Sequence, residues 1–299
     1  MNKKTKSLIY ELTNNARIST KELGKKLKVS QQSASYLLKS LQEKNIINSF
    51  STIIDPSKFG YLQVQVYVNY FDFSKKKEVL NYLKEEDHIV QVEELKQGYD
   101  LSLIFCVPNL SYYNKISRDF LQKFKGSLNI TETYPVVVKH LYPRKYLASK
   151  KSFSEMVIAG DRDIERTNQT ELSILLRLWE QATEKIIEVH KKTGLNPKTI
   201  VKTKKFLEVS KVVRGYTTIF NLDGLNIIKK HILIRSSDLS LTEDKKLLQF
   251  SLVHPNVITL TRFIGDYDLL IEVEQEDTSK KDVLKDLRME FAIKKYKVI

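Results

Sequence analysis

The sequence predicts an α+β protein made of two tandem copies of one unit: a short helical module with a β wing, then a β-α-β-β-α-β module. Three observations carry that prediction. Residues 46–60, "IINSFSTIIDPSKFG", superpose on residues 212–226, "VVRGYTTIFNLDGLN", at a shift of 166. The same shift takes Ala16 to Ala182, Ser30 to Asn196, Lys39 to Lys205, Leu41 to Leu207 and His88 to His254, and matches at one shift over such distances argue for duplication. Further on, "GYDLSLIFCV" from Gly98 matches "DYDLLIEV" from Asp266, with Asp100 on Asp268 and the shift grown to 168. Finally, the hydrophobic period changes from helical to two-residue after each wing.

Each copy opens with helices. In the first, Leu8, Ile9 and Leu12 mark one helix. Leu23 and Leu27 mark a second, entered through "ISTKEL", where Ser19 or Thr20 caps and Glu22 supports the first turn. A third begins at the N-cap Ser30, with Ala34, Leu37, Leu38 and Leu41 facing inward. The strand-like "NIINSFSTII" follows, so this is a helix-turn-helix with a wing. The second copy repeats the order through "ELSILLRLWEQA", "TEKIIEVHKK", "GLNPKTIVKTKKFLEV" and "KVVRGYTTIF".

Beyond the first wing, Leu62, Val64, Val66 and Val68 alternate with Gln63, Gln65, Tyr67 and Asn69, a two-residue strand period. Then come a helix ("SKKKEVLNYLKEE"), a strand ("HIVQVEEL"), a turn at Gly98, a strand ("DLSLIFCV"), a helix ("SYYNKISRDFLQKF") and a strand ("TETYPVVVKHLY"). That is the ferredoxin-like order, and the second copy repeats it. The expected divisions are a winged helix-turn-helix over 1–55, a ferredoxin-like domain over 60–145, a linker with a short helix over 146–166, a second winged module over 167–221 and a second ferredoxin-like domain over 225–299.

Composition narrows the function classes. Lys and Arg number 50 against 36 Asp and Glu, a net charge of +14, which favours a polyanionic partner. No apolar run reaches membrane-span length, the start "MNKKTKSLIYELTNN" lacks a signal-peptide core, and Cys106 is the only cysteine. The expectation is a cytoplasmic protein without disulfides or membrane contact. Cys106 lies in an apolar strand and reads as a small core residue. The five histidines show no metal-ligand spacing, and no glycine-rich phosphate loop, CxxC pair or GxSxG elbow is present, so neither a metal nor a cofactor is expected.

The run "NARISTKELGKKLKVSQQSASYLLKSLQEKNIINSFSTIIDPSKFG", followed by a β-α-β-β-α-β module, resembles the Lrp/AsnC (feast/famine) family of transcription regulators, here in duplicated form. Asn45 stands where the family has Gly, and Asn also tolerates left-handed backbone angles. The resemblance implies a DNA-binding regulator without catalysis, with double-stranded DNA as partner. It also implies pairing through the ferredoxin-like domains, within one chain as a pseudo-dimer or between chains as a homo-oligomer. An amino acid or other small effector is implied at the turns Gly98, Tyr99, Asp100 and Gly265, Asp266, Asp268. Siroheme decarboxylases resemble the same fold, so a two-copy enzyme of that kind is one alternative. A regulatory partner that does not touch DNA is another.

A recognition helix needs an apolar back and polar side chains on its N-terminal half. In the first copy Ser30, Gln31, Gln32, Ser33, Ser35, Tyr36 and Lys39 surround the Ala34/Leu37/Leu41 seam. Gln pairs with adenine edges, while Lys39 suits phosphate. In the second copy Leu37 and Leu38 become Thr203 and Lys204. Either the register rotates to bring Val201 and Phe206 inward, or Lys204 snorkels past the core. Lys198, Thr199, Lys202 and Lys205 then form a strip better suited to phosphate than to bases.

Overall fold

The computed structural model describes residues 1–148, 154–237, 240–277 and 282–299. The first head comprises α1 (Lys3–Asn14), α2 (Thr20–Leu27) and α3 (Gln31–Glu43), followed by strand β1 (Ile47–Ile54). Ser19 caps α2 by accepting from the Glu22 N–H at 3.1 Å, and Ser30 caps α3 by accepting from the Ser33 N–H at 3.1 Å. Asn45 turns the chain from α3 into β1 with a left-handed φ of 53°. Asp55 then caps a 3-10 turn, Pro56–Phe59, which closes at Gly60 with φ 74°.

The first ferredoxin-like sheet contains β2 (Leu62–Tyr70), β3 (Ile89–Glu94), β4 (Leu101–Val107) and β5 (Leu128–Leu141), antiparallel in the order β5-β2-β4-β3. Helices α4 (Lys76–Glu85) and α5 (Leu110–Lys123) cover one face. Val64, Val66, Val68, Leu103 and Phe105 pack there on Val79, Leu83 and Phe120. In the intervening segment the expected short helix is replaced by a 3-10 turn, Lys145–Leu147, and a strand, β6 (Met156–Ile158), which pairs with β5; residues 149–153 lie outside the described part. The apolar "MVI" pairs with β5 through Lys139–Leu141, and that pairing satisfies its backbone groups.

The second copy repeats the order: α6 (Gln169–Glu180), α7 (Ile186–Thr193), α8 (Pro197–Val209), β7 (Val213–Phe220), β8 (Ile227–Ser236), α9 (Leu241–Val253), β9 (Val257–Phe263), β10 (Leu269–Glu276), α10 (Val283–Glu290) and β11 (Ile293–Val298). Its sheet runs β11-β8-β10-β9. The repeat extends to backbone angles. Lys211 (φ 63°) takes the left-handed place of Asn45, and Asn226 (φ 53°) that of Gly60.

The halves are joined twice. Wing β1 pairs antiparallel with wing β7, placing Thr52 opposite Tyr216 and Phe50 opposite Thr218. Thr52 donates its hydroxyl hydrogen to the Leu178 carbonyl of α6, and Thr218 donates to the Leu12 carbonyl of α1 at 3.0 Å. Each wing thus bonds the first helix of the opposite head. The ferredoxin-like sheets join where β5 pairs with β9, giving the continuous order β11-β8-β10-β9-β5-β2-β4-β3. Their helix-free faces share a cluster of Tyr67, Tyr99, Tyr134, Leu233, Phe263, Tyr267, Leu270 and Ile299. The "polar" face of β2 is therefore buried too: Gln63, Gln65 and Tyr67 are all under a tenth exposed.

Candidate nucleic-acid interface

Helix α3 presents a largely free polar face. Gln31, Gln32, Ser33, Ser35, Tyr36 and Lys39 are exposed, Ala34 and Leu41 are buried, and Leu37 and Leu38 are half-buried. Ser30 and Ser33 are occupied by capping, with their hydroxyls 2.9 Å apart, and the Gln31 amide donates to the Thr20 hydroxyl at 3.3 Å. Gln32, Ser35 and Tyr36 hold no such partner among the described residues, and Tyr36 is 72% exposed. Lys39 stands 3.5 Å from Glu43, a fully solvated pair that constrains it little.

Helix α8 resolves the register question. Ile200, Thr203 and Leu207 are buried, so the seam keeps its place with Thr203 where α3 has Leu37. Val201 and Phe206 remain outside at 52% and 40% exposure, so the rotated register is not adopted. Lys204 is the snorkelling residue: its ammonium donates to Glu208 at 2.6 Å and lies over the Tyr216 ring at 5.2 Å. Lys198, Thr199, Lys202 and Lys205 are exposed, and among the described residues no ion pair engages the three lysines. They project charge to solvent with no internal compensation.

The two turns expected from the resemblance to hold an effector are built into the sheet junction. Asp100 accepts the Tyr70 N–H at 2.8 Å, and Asp268 accepts the Ser236 N–H at 2.9 Å, the same tether in both copies. Tyr99 is buried and donates to Glu132; Tyr67 stacks on it at 4.7 Å. Asp266 is exposed, and its hydrogen bond to Lys295, 2.6 Å long, lowers its pKa. Gly98 takes φ 83°, and Gly265 lies against the Tyr134 ring.

Pattern reading missed one group entirely. Lys229 bridges Glu93 at 2.7 Å and Glu272 at 2.8 Å, with Lys139 3.7 Å from Glu272 and the Thr259 hydroxyl donating to it. His231 Nε2 stands 3.2 Å from Glu272 and 3.5 Å from Glu93. Burial opposes its charged form, yet the two carboxylates outweigh that and hold its pKa above the ordinary histidine value. Glu93, His231 and Glu272 hold their ligand atoms within 4.8 Å of one another, but the Lys229 ammonium already sits between the carboxylates. These residues come from β3, β5, β8, β9 and β10, so no local spacing announces them. Cys106 is half-buried, and burial pushes its thiol up to about 11, which fits a packing residue. His254 closes α9, its ring accepting the Asn256 N–H at 3.2 Å.

Two winged helix-turn-helix heads, locked wing to wing and each offering a polar helix, define a DNA-binding protein by architecture. Residues 1–48 match the winged helix-turn-helix DNA-binding family model. The chain is similar to the HTH-type transcriptional regulator Ptr1 of Methanocaldococcus jannaschii, 32% identical over 119 residues, covering 40% of this chain and 78% of that protein. It is similar also to an uncharacterized HTH-type transcriptional regulator of Pyrococcus abyssi, 23% identical over 124 residues, covering 41% and 84%. Among solved structures, the siroheme decarboxylase NirDL, crystallised with an iron-uroporphyrin III analogue, covers 99% of this chain and 90% of its own at TM-score 0.61. At 12% identity that likeness is one of fold. The chain belongs to the Lrp/AsnC family of helix-turn-helix transcriptional regulators. No described helix is long and apolar enough to cross a membrane.

Proposed function

We propose that the protein is a sequence-specific DNA-binding transcription regulator whose heads do different work: α3 reads base edges and α8 holds phosphates. The carrying observation is the contrast between the two exposed helix faces. Gln32, Ser35 and Tyr36 supply donors, acceptors and a ring, whereas Lys198, Lys202 and Lys205 supply uncompensated charge. The reading divides the chain at the boundaries expected from sequence and needs no catalytic step. It places the protein in the cytoplasm, and it gives a small effector, an amino acid by family resemblance, the tethered turns at Asp100 and Asp268 as its route to the heads. A decarboxylase-like reading has less support, because the likeness to NirDL, at 12% identity, is one of fold.

Selection of bound genomic fragments at two salt concentrations tests the proposal. With Gln32→Ala, preference at one position relaxes by roughly 1–3 kcal/mol, a factor of about 5 to 150. Changing Lys198, Lys202 and Lys205 together to Gln lowers the salt slope by about 2.7, at about 0.9 per phosphate. Between 50 and 200 mM salt, wild type then loses about 40-fold more affinity than the variant. An unchanged slope together with unchanged preference sinks the proposal.

A further inference from the structure

The duplication lets one head act as a control for the other. At the shift of 166 residues, the buried Leu8, Ile9 and Leu12 of α1 correspond to the buried Ile174, Leu175 and Leu178 of α6. On the adjoining face, α1 carries Lys6, Tyr10 and Thr13, and α6 carries Leu172, Leu176 and Trp179. These last three are 41%, 60% and 46% exposed, and their i, i+4, i+7 spacing puts them in one stripe. Tyr10, the counterpart of Leu176, is only 7% exposed. The chain's own segment after β5 packs on this helix: Leu147 lies in the same cluster as Tyr10, with Tyr146 and Ala148 packed alongside. Arg144 holds that segment in place through two hydrogen bonds to Glu274, 2.6 and 2.8 Å long. The stripe on α6 is the more apolar of the two, and it is the one left exposed.

We infer that the α6 stripe is a docking site for a short peptide segment of another protein, one carrying an adjacent aromatic and aliphatic pair as Tyr146 and Leu147 do on α1. The exposed area favours that occupant over a second copy of the chain. Three half-exposed side chains offer on the order of 300 Å², the size of a functional patch on a monomer. A stable protein–protein interface needs about 800 Å² from each partner. A peptide of a few residues fits the smaller area, with Trp179 and Leu176 as its anchors. The site lies on the head that α8 turns toward phosphate, so the second head holds DNA on one helix and a protein partner on another.

Trp179 is the only tryptophan in the chain, so its emission reports the stripe directly. The probe is a synthetic peptide of residues 142–148, added to the full protein with excitation at the red edge, where tyrosine is silent. The expected result is a saturable shift of Trp179 emission to shorter wavelength. It weakens at least ~10-fold with Leu176→Asp and disappears when the peptide's Tyr146 and Leu147 equivalents are replaced by serine. Leu176→Ala gives a smaller loss and guards against a folding defect in the Asp variant. No saturable shift in wild type, or an equal shift in Leu176→Asp, overturns the inference. So does a shift that follows protein concentration without peptide and is removed by Leu176→Asp, because that outcome gives the stripe to a second copy.

Discussion

Glu272→Gln is a direct test of how the two ferredoxin-like sheets are held together. Glu272 is 5% exposed on β10 and faces Lys229 at 2.8 Å, His231 at 3.2 Å and Lys139 at 3.7 Å. Burial alone would raise its pKa, but Lys229 and Lys139 hold the carboxyl well below the usual range, so it is charged throughout the neutral region. Substitution by Gln keeps the shape and removes the charge, leaving Lys229 and His231 with the Glu93 carboxylate at 2.7 and 3.5 Å, and taking from Lys139 the carboxylate it faces at 3.7 Å. Removing one member of such a buried group costs about 3–5 kcal/mol, because the remaining charges stay desolvated without compensation. Adding Lys229→Met removes the most closely bound of those charges, so the double variant recovers at least ~1 kcal/mol relative to the sum of the singles. Urea unfolding of the four proteins of the cycle, followed by far-ultraviolet circular dichroism, measures both quantities. A loss below about 1 kcal/mol for Glu272→Gln, with additive behaviour in the double variant, would falsify the coupling argued from the distances.

Two other perturbations follow from buried groups. Lys145 is 3% exposed, donates to the Ser251 and Leu252 carbonyls at 2.7 and 3.2 Å, and burial brings its pKa down to about 7. Its folded value lies below its unfolded one, so the cost of burying the ammonium is fully present below pH 7 and is relieved as pH rises toward the unfolded value. Wild-type stability should therefore climb by about 2–3 kcal/mol between pH 7 and 9, and Lys145→Met should flatten that climb; an identical pH profile for the variant refutes the assignment. Gly265→Ala places a Cβ 2.7 Å from the Tyr134 ring, which is 2% exposed and stacked on Phe263 at 5.1 Å. It should cost about 1–3 kcal/mol by overpacking, read as a lower thermal midpoint, and an unchanged midpoint would mean that the ring moves freely.

Much of the fold is legible in the sequence because its signals are local. Caps at Ser19 and Ser30, the period of β2 and the left-handed place of Asn45 each depend on residues within a few positions. The candidate DNA-reading face of α3 is legible for the same reason, since the Ala34–Leu41 seam leaves its polar positions outside. What sequence could not supply is decided by residues from the other copy. Gln65 sits on the face that alternation assigns to water. In the fold its amide donates to the Ser102 hydroxyl at 2.8 Å, within a sheet face closed over by Leu233, Phe263 and Leu270. A buried polar residue with its hydrogen bonds satisfied has the same pattern as a solvated one, so alternation cannot separate them.

The register of α8 is a harder instance of that limit. By hydrophobicity, Phe206 belongs inside and Thr203 outside, yet Thr203 is 9% exposed and Phe206 is 40% exposed. The deciding contacts lie elsewhere. Tyr216 on β7 donates to Glu208 at 2.9 Å, and Glu208 in turn takes the Lys204 ammonium, so the wing fixes the helix with Ile200 and Leu207 inward. That wing is held from the other half of the chain, through β1 and through Arg17, whose guanidinium bonds the Ala182 and Glu184 carbonyls and lies over the Tyr216 ring at 5.1 Å. The face that α8 offers is thus set by the first head. It follows that Arg17→Ala should weaken phosphate contact through α8 while leaving the lysines themselves in place. In the salt titration it would lower affinity and slope together, whereas full wild-type behaviour would show that α8 keeps its face without help from the first head.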